Sequence, residues 1–226
     1  MRRPLAVLSI ALSLVALSFV ACAGTSGRTV TFPVVARASA GPTFTTSTGW
    51  DVALDEAFVT LRALRVLAAD DEPLARLLFV PVARAHGGHA LARGVRAELL
   101  GPIDLDALDP EPVEIGIAHG SAGPARAIDL ELGESDLVAR VRGVARRGDQ
   151  EVSFDDELVV PGGLRLEGLP LDATVDELGA LQVSIAVDRW LDQARFEDDA
   201  IALAWSLGVR DARAFVVIWD ETGGAE

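Results

Sequence analysis

The chain has 226 residues, half of them hydrophobic, with 34 acidic side chains against 20 basic ones and a formal net charge of −14. That apolar content supports a full core in a single domain and excludes disorder over most of the length, while the acidic balance excludes nucleic acid as a partner, because a phosphate backbone needs a basic face. Every basic residue is Arg, which rules out lysine chemistry such as a P-loop or a Schiff base, and the single Cys rules out an internal disulfide and a Cys-rich zinc site.

The chain opens with a short positive region, Met1-Arg2-Arg3, followed over residues 4–20 by an uncharged run of mostly Leu, Ala, Val, Ile and Ser. This length fits a secretory hydrophobic region with its flank and is short for a membrane span of ~20 residues. The run ends in Phe19-Val20-Ala21-Cys22, and the small residues Ala23-Gly24-Thr25-Ser26-Gly27 follow. The pattern resembles the lipobox of bacterial lipoproteins, with Phe19 at the position where Leu is usual. The resemblance implies cleavage before Cys22, acylation of its thiol and new amine, and a membrane held through the N-terminal lipid. Each buried acyl CH₂ contributes ~0.8 kcal/mol, so stable attachment takes more than one chain. Cleavage would also remove Arg2 and Arg3, leaving a still more acidic body that anionic headgroups repel, so the lipid itself must hold it. The expected organisation is a signal peptide over 1–21, a lipidated tether over 22–28 and one domain over 29–226. By the sorting rule of enteric bacteria, Ala rather than Asp at position 23 favours the outer membrane of the cell envelope, with the body facing the periplasm or the exterior.

The body alternates with a period of two along most of its length, as strands do. Residues 29–40 are β-branched and small, and Pro33 within them marks an edge strand. Val52 and Leu54 alternate with acids after Gly49-Trp50. Residues 57–67 are ambiguous: Phe, Val and Thr favour a strand, yet Phe58, Leu61 and Arg65 also fit one helix face. Residues 77–83 form a short apolar run of strand length. Val113, Ile115, Ile117 and His119 share one parity, which is expected to face inward, and Ile128, Leu130 and Leu132 share another. Residues 137–145 and 152–160 flank Arg146-Arg147-Gly148-Asp149-Gln150, a hairpin connection. Leu181, Val183, Ile185 and Val187 alternate with polar or small residues, and residues 215–219 make a final strand. Residues 172–178 and 197–207 are the helix candidates, and residues 104–112 the long surface loop. Strands recurring about every ten residues with Gly and Pro punctuation define an all-β chain, an antiparallel β-sandwich with one or two short helices.

The three histidines are the one suggestive constellation. His86 and His89 lie in Ala85-His86-Gly87-Gly88-His89, where two glycines permit a tight turn that aims both imidazoles at one centre. His119 ends an inward-facing parity just before Gly120. Imidazole suits Cu and Zn, and three His make a site for either, with Glu98 as a fourth ligand or a partner of one. Asp104-Leu105-Asp106 begins like a calcium loop, but Leu108, Asp109 and Ile115 stand where an EF-hand needs an acid, Gly and Glu. Asp70-Asp71-Glu72, Asp155-Asp156-Glu157 and Glu197-Asp198-Asp199 read as solvated turns. His119-Gly120-Ser121-Ala122-Gly123 has His at the first Gly of a nucleophile elbow. There is no GxGxxG, HExxH or CxxC, so no catalytic residue is assigned.

Thr48-Gly49-Trp50-Asp51-Val52-Ala53-Leu54-Asp55-Glu56-Ala57, the segment His86-Gly87-Gly88-His89, Glu98-Leu99-Leu100-Gly101-Pro102, Val187-Asp188-Arg189-Trp190-Leu191-Asp192 and Phe196 together resemble a family of uncharacterised bacterial lipoproteins. Members carry a His-Pro-Gly-His segment after the early strands; here Gly87 replaces the Pro, and Ala90 stands where an aromatic residue is usual. The resemblance bears on location and architecture. The expected function is a membrane-anchored envelope lipoprotein whose β-domain binds a ligand, with Cu or Zn held by histidines as the leading case. The alternative is a structural or adaptor lipoprotein with no small-molecule site, its protein partner unidentified.

Overall fold

The structure is a computed structural model that describes residues 28–69, 94–197, 205 and 207–222. Cys22, the apolar run at 77–83, His86 and His89 lie outside the described residues.

Among the described residues eleven strands follow in chain order: β1 (Thr29–Ala38), β2 (Thr43–Thr45), β3 (Asp51–Ala68), β4 (Val95–Asp106), β5 (Val113–Ser121), β6 (Gly123–Leu132), β7 (Leu137–Arg147), β8 (Gln150–Val159), β9 (Leu164–Val175), β10 (Ala180–Ile185) and β11 (Phe215–Asp220). A short helix α1 (Val187–Leu191) and a 3₁₀ turn (Ala212–Ala214) lie between β10 and β11. The hydrogen-bonded order is β11-β10-β1-β5-β4-β3-β6-β9. The first part of β3 pairs with β2 and β7, and β8 continues outward from β7. Every ladder is antiparallel except β1–β10.

The sheet folds over at one narrow seam. β4 and β5 pair only at Ala97↔Gly120 and Glu98↔His119. One half is then β11-β10-β1-β5, and the other is β4-β3-β6-β9 with β2, β7 and β8. β9 and β11 lie against each other on the opposite side. A single apolar cluster takes Phe32, Val34, Val183 and Ile185 from the first half and Leu61, Leu64, Ile128 and Leu130 from the second. The chain is all-β with short helices, as its alternation implies, and Val183, Ile185 and Val187 are all buried. Among the described residues no helix is long and apolar enough to cross a membrane.

β3 shows why residues 57–67 were ambiguous. Its register shifts once between Leu54 and Glu56 and again between Leu61 and Ala63. Each bulge adds a residue and reverses which parity faces the core. The inward set is therefore Val52 and Leu54, then Ala57, Val59 and Leu61, then Leu64 and Val66. A strict period of two is lost over the strand, though the whole of it is extended.

The hairpin at Arg147-Gly148-Asp149-Gln150 is a two-residue turn, with Gly148 at φ 58° as its first central residue. β8 pairs with β7 alone, and its exposed Glu151, Asp155 and Glu157 discourage pairing with another chain. Three expectations are corrected. Pro33 does not mark an edge, because β1 lies between β10 and β5; the ladder to β10 begins one residue later, at Val34. Residues 172–175 are the end of β9, paired to β6, and not a helix. Residues 104–106 belong to β4, so the surface loop is shorter, with Leu105 and Ala107 buried. Of the second helix candidate, Trp205 and residues 207–209 are helical.

Candidate functional site

His119 faces outward, contrary to the inward parity read from Val113, Ile115 and Ile117. Register explains the reversal. The inward residues of β1, Val30, Phe32 and Val34, oppose Gly120, Ala118 and Gly116, so the even positions of β5 face the core. A bulge follows, because Val34 pairs with Gly116 while Val35 pairs with Glu114. Ile115 packs against the core on one side of this bulge, whereas Ile117 and His119 are exposed on the other. Gly116 takes φ 151° there, and a Cβ on it would press into the Leu99 side chain.

The same seam brings two of the site candidates together. Glu98 and His119 are register partners across β4 and β5, with their side chains on the same face of the sheet. Glu98 is flanked on its other side by Arg65, whose Nε lies 3.8 Å from the carboxylate, while Arg65 Nη1 donates to Glu131 at 2.5 Å. On the far side of Glu131, Arg165 donates to Asp129 at 3.0 Å, and Asp129 also accepts from Gly168 N at 2.9 Å. His119 thus ends a transverse row of alternating charge that crosses β5, β4, β3, β6 and β9. The hold of Arg65 on Glu98 is loose, because Arg65 is nearer to Glu131 than to Glu98. An imidazole and a carboxylate in this register are a donor set that suits Zn or Cu.

Backbone contacts locate this pair at one end of the molecule. Ala122 N donates to Arg28 O, Ala69 N to Pro124 O and Ala68 N to Gly94 O. Arg96 donates to the carbonyls of Ala122 and Pro124. Residues 28, 69 and 94 are therefore neighbours of the β5–β6 turn, just beyond His119. Residues 69 and 94, which flank the segment with His86 and His89 in the sequence, lie at that end. Among the described residues, no three His, Cys, Asp or Glu side chains are grouped so as to hold a metal. The Asp104 carboxylate accepts from Thr60 Oγ1, and Asp106 accepts from Leu108 N, so both serve strand and turn. Ser121 Oγ donates to the Arg96 carbonyl at 3.5 Å.

A second cluster was not foreseen as a unit. The turn at 46–49 is bolted to residues 192–194: Ser47 N donates to Asp192 Oδ1, Ser47 Oγ to Asp192 O, and Thr48 Oγ1 to Ala194 O, each at 2.9 Å. Partial burial raises the Asp192 pKa, but hydrogen bonds from Gln193 and Ser47 and the Arg189 charge outweigh it, so the carboxyl sits below the ordinary range. Below the bolt, Trp50 meets Phe196 edge-on at 5.5 Å, and Phe196 meets Phe154 at 5.1 Å. Arg147 lies 4.5 Å over the Trp50 ring and pairs with Glu197 at 3.0 Å. Thr48, Trp50, Asp192 and Phe196, which the sequence singled out in two separate motifs, thus meet in one structural clasp. Its only sequence signal was the pairing of a Ser/Thr turn with a Trp. A surface depression of about 410 Å³ lies between Thr43, Thr45, Asp51 and Arg146. Within it Thr45 donates to Asp51, and Arg146 pairs with Glu151.

Comparison of the chain with protein-family models, with curated proteins and with solved structures finds no match.

Proposed function

We propose that the protein is a lipid-anchored protein of the bacterial envelope whose β-domain binds Zn or Cu through histidines at its anchored end. The lipobox-like Phe19-Val20-Ala21-Cys22 supports the anchor, with the outer membrane favoured by Ala23. The observation that carries the metal reading is the register pair Glu98 and His119, at the end where residues 69 and 94 lead to His86 and His89. Glu98 and His119 oppose each other in the register there, and His86 and His89 belong to the 24 residues between 69 and 94. Metal needs neutral imidazoles, so binding weakens as the solution is acidified.

Calorimetric titration with zinc tests the metal reading. Wild type is expected to bind more tightly than about 100 μM. His89→Ala and His119→Ala should each weaken binding at least tenfold. Equal affinity in all three proteins, or no binding of that strength, would overturn it. For the anchor, Cys22→Ser should leave the protein unprocessed or release it from membranes. Processing and partition like wild type would overturn the lipoprotein reading.

The adaptor reading is the second choice. It is favoured by Ile117, Val216 and Ile218, which are exposed on the outer face of the β11-β10-β1-β5 half. A contiguous apolar run such as Phe215-Val216-Val217-Ile218-Trp219 is typical of strands covered on both faces.

A further inference from the structure

We propose that the turn between β9 and β10, with Leu178 at its tip, is a second membrane contact that seats the domain end-on upon the lipid surface. The proposal rests on the lipid-anchor reading and adds a protein surface to it. Leu178 is 73 % exposed, more than any other large hydrophobic side chain among the described residues. It is not a loose side chain on a loose loop. Asp176 Oδ1 accepts from Leu178 N at 2.8 Å, a local bond that fixes the turn. The next residue, Gly179, lies so close to the Trp219 ring that a Cβ could not be added without moving it. The turn therefore holds Leu178 outward in a set position.

The place where the tether leaves the fold identifies the occupant. Arg28 is the first described residue and pairs with Glu177 at 3.3 Å, so the chain running back to Cys22 starts beside Leu178. Residues 23–27 intervene, and a stretch of that length spans at most about 20 Å when fully extended. An acyl-anchored Cys22 would keep this end of the domain within that distance of the bilayer, at a high effective concentration. Ile218 is exposed on the outer face of β11, two residues from Asp220, which pairs with Ala180 at the start of β10. The opposite end, with the β7–β8 turn, is remote. Arg146 pairs with Asp51 at the start of β3, whose 18 residues run to Ala68 at the tethered end, a strand of at most about 55 Å at about 3.3 Å per residue.

Charge selects the kind of lipid. Asp176, Glu177, Asp220 and Glu221 surround the contact, and of these Glu177 is paired with Arg28. A zwitterionic surface is therefore favoured over an anionic one, which would repel the remaining carboxylates.

The test uses the full acylated chain. With the Cys22 thiol acylated, Leu178→Cys supplies a unique thiol for an environment-sensitive fluorophore, and Asp149→Cys supplies one at the far end. In phosphatidylcholine vesicles the label at 178 is expected to shift to the blue, and its quenching by aqueous iodide should fall several-fold. The label at 149 should stay fully quenchable. Vesicles rich in phosphatidylglycerol should shield 178 less, and added salt should restore the shielding. In unlabelled wild type, amide exchange over 176–180 should slow on vesicles. Protein that floats with vesicles yet leaves 178 as quenchable as 149, with no slowing of exchange, overturns the membrane contact while leaving the anchor intact. Shielding of 178 by a protein extract and not by lipid overturns it in favour of a protein partner. Protein that does not float and whose Cys22 thiol takes the label refutes the anchor, and the contact falls with it.

Discussion

Ile185→Ala and Ile218→Ala make a matched pair, because the same three carbons are removed from opposite faces of neighbouring strands. Ile185 on β10 is 0 % exposed, set between Ala38 of β1 and Phe215 of β11, while Ile218 on β11 is 45 % exposed and faces outward. Removing three buried carbons at ~0.8 kcal/mol each costs about 2.4 kcal/mol. If partial collapse leaves a cavity of roughly 50 Å³, about 1.2 kcal/mol is added at ~24 cal/mol per Å³. The expected loss for Ile185→Ala is thus ~3.5 kcal/mol, inside the ~2–5 kcal/mol range of such truncations. For a body of this size it corresponds to a fall in Tm of roughly 7–14 °C. Ile218→Ala opens no cavity and should stay within about 1 kcal/mol. Urea unfolding followed by tryptophan fluorescence measures both, with the buried Trp50, Trp190 and Trp205 as reporters. A change below about 0.5 kcal/mol for Ile185→Ala would place β10 outside the core and refute the arrangement of the two halves.

Three further outcomes follow from the clasp, the 3₁₀ turn and the β3 bulge. Asp192→Ala removes the acceptor of the exposed Ser47 N and should cost ~0.5–1.5 kcal/mol in urea unfolding; because the Asp192 pKa is lowered, this contribution is complete above about pH 4 and is lost as pH falls further. The side chain of Arg213, then its backbone N–H, hold the Asp211 carboxyl at about 2. A depressed carboxylate stabilises the fold fully above its unfolded value of ~3.9, and the effect is lost on acidification through the folded value; a ¹³C titration should find the Asp211 midpoint near 2 in wild type and higher in Arg213→Ala, though still below the ordinary value because the backbone N–H of residue 213 remains. Gly143→Ala would drive a Cβ into the Ala53 carbonyl across the β3–β7 ladder, and thermal unfolding should show a loss of at least ~1–3 kcal/mol.

Legibility in the sequence followed regularity. Ile128-Leu130-Leu132, Leu181-Val183-Ile185 and the Gly148-Asp149 hairpin obey simple period-two and turn rules, and each lies where those rules put it. The rules fail at bulges. One at Ile115 turned His119 to the outer face, and two in β3 hid an 18-residue strand behind a helix-like spacing. Alternation carries no information about where a residue is inserted, because that is decided by the partner strand. The clasp was hidden for another reason: it joins positions 145 or 146 residues apart through side chain–backbone bonds. The juxtaposition of Glu98 with His119 likewise follows from a two-pair seam that local pattern does not reveal.

The most direct measurement is the structure of the zinc-loaded protein at neutral pH. One zinc is expected at the tethered end, with an imidazole nitrogen from each of His86, His89 and His119 at ~2.0–2.1 Å and Glu98 as fourth ligand or hydrogen-bond partner. A zinc-loaded crystal in which His119 remains alone on the outer face of β5, with no metal near it, would contradict the histidine site.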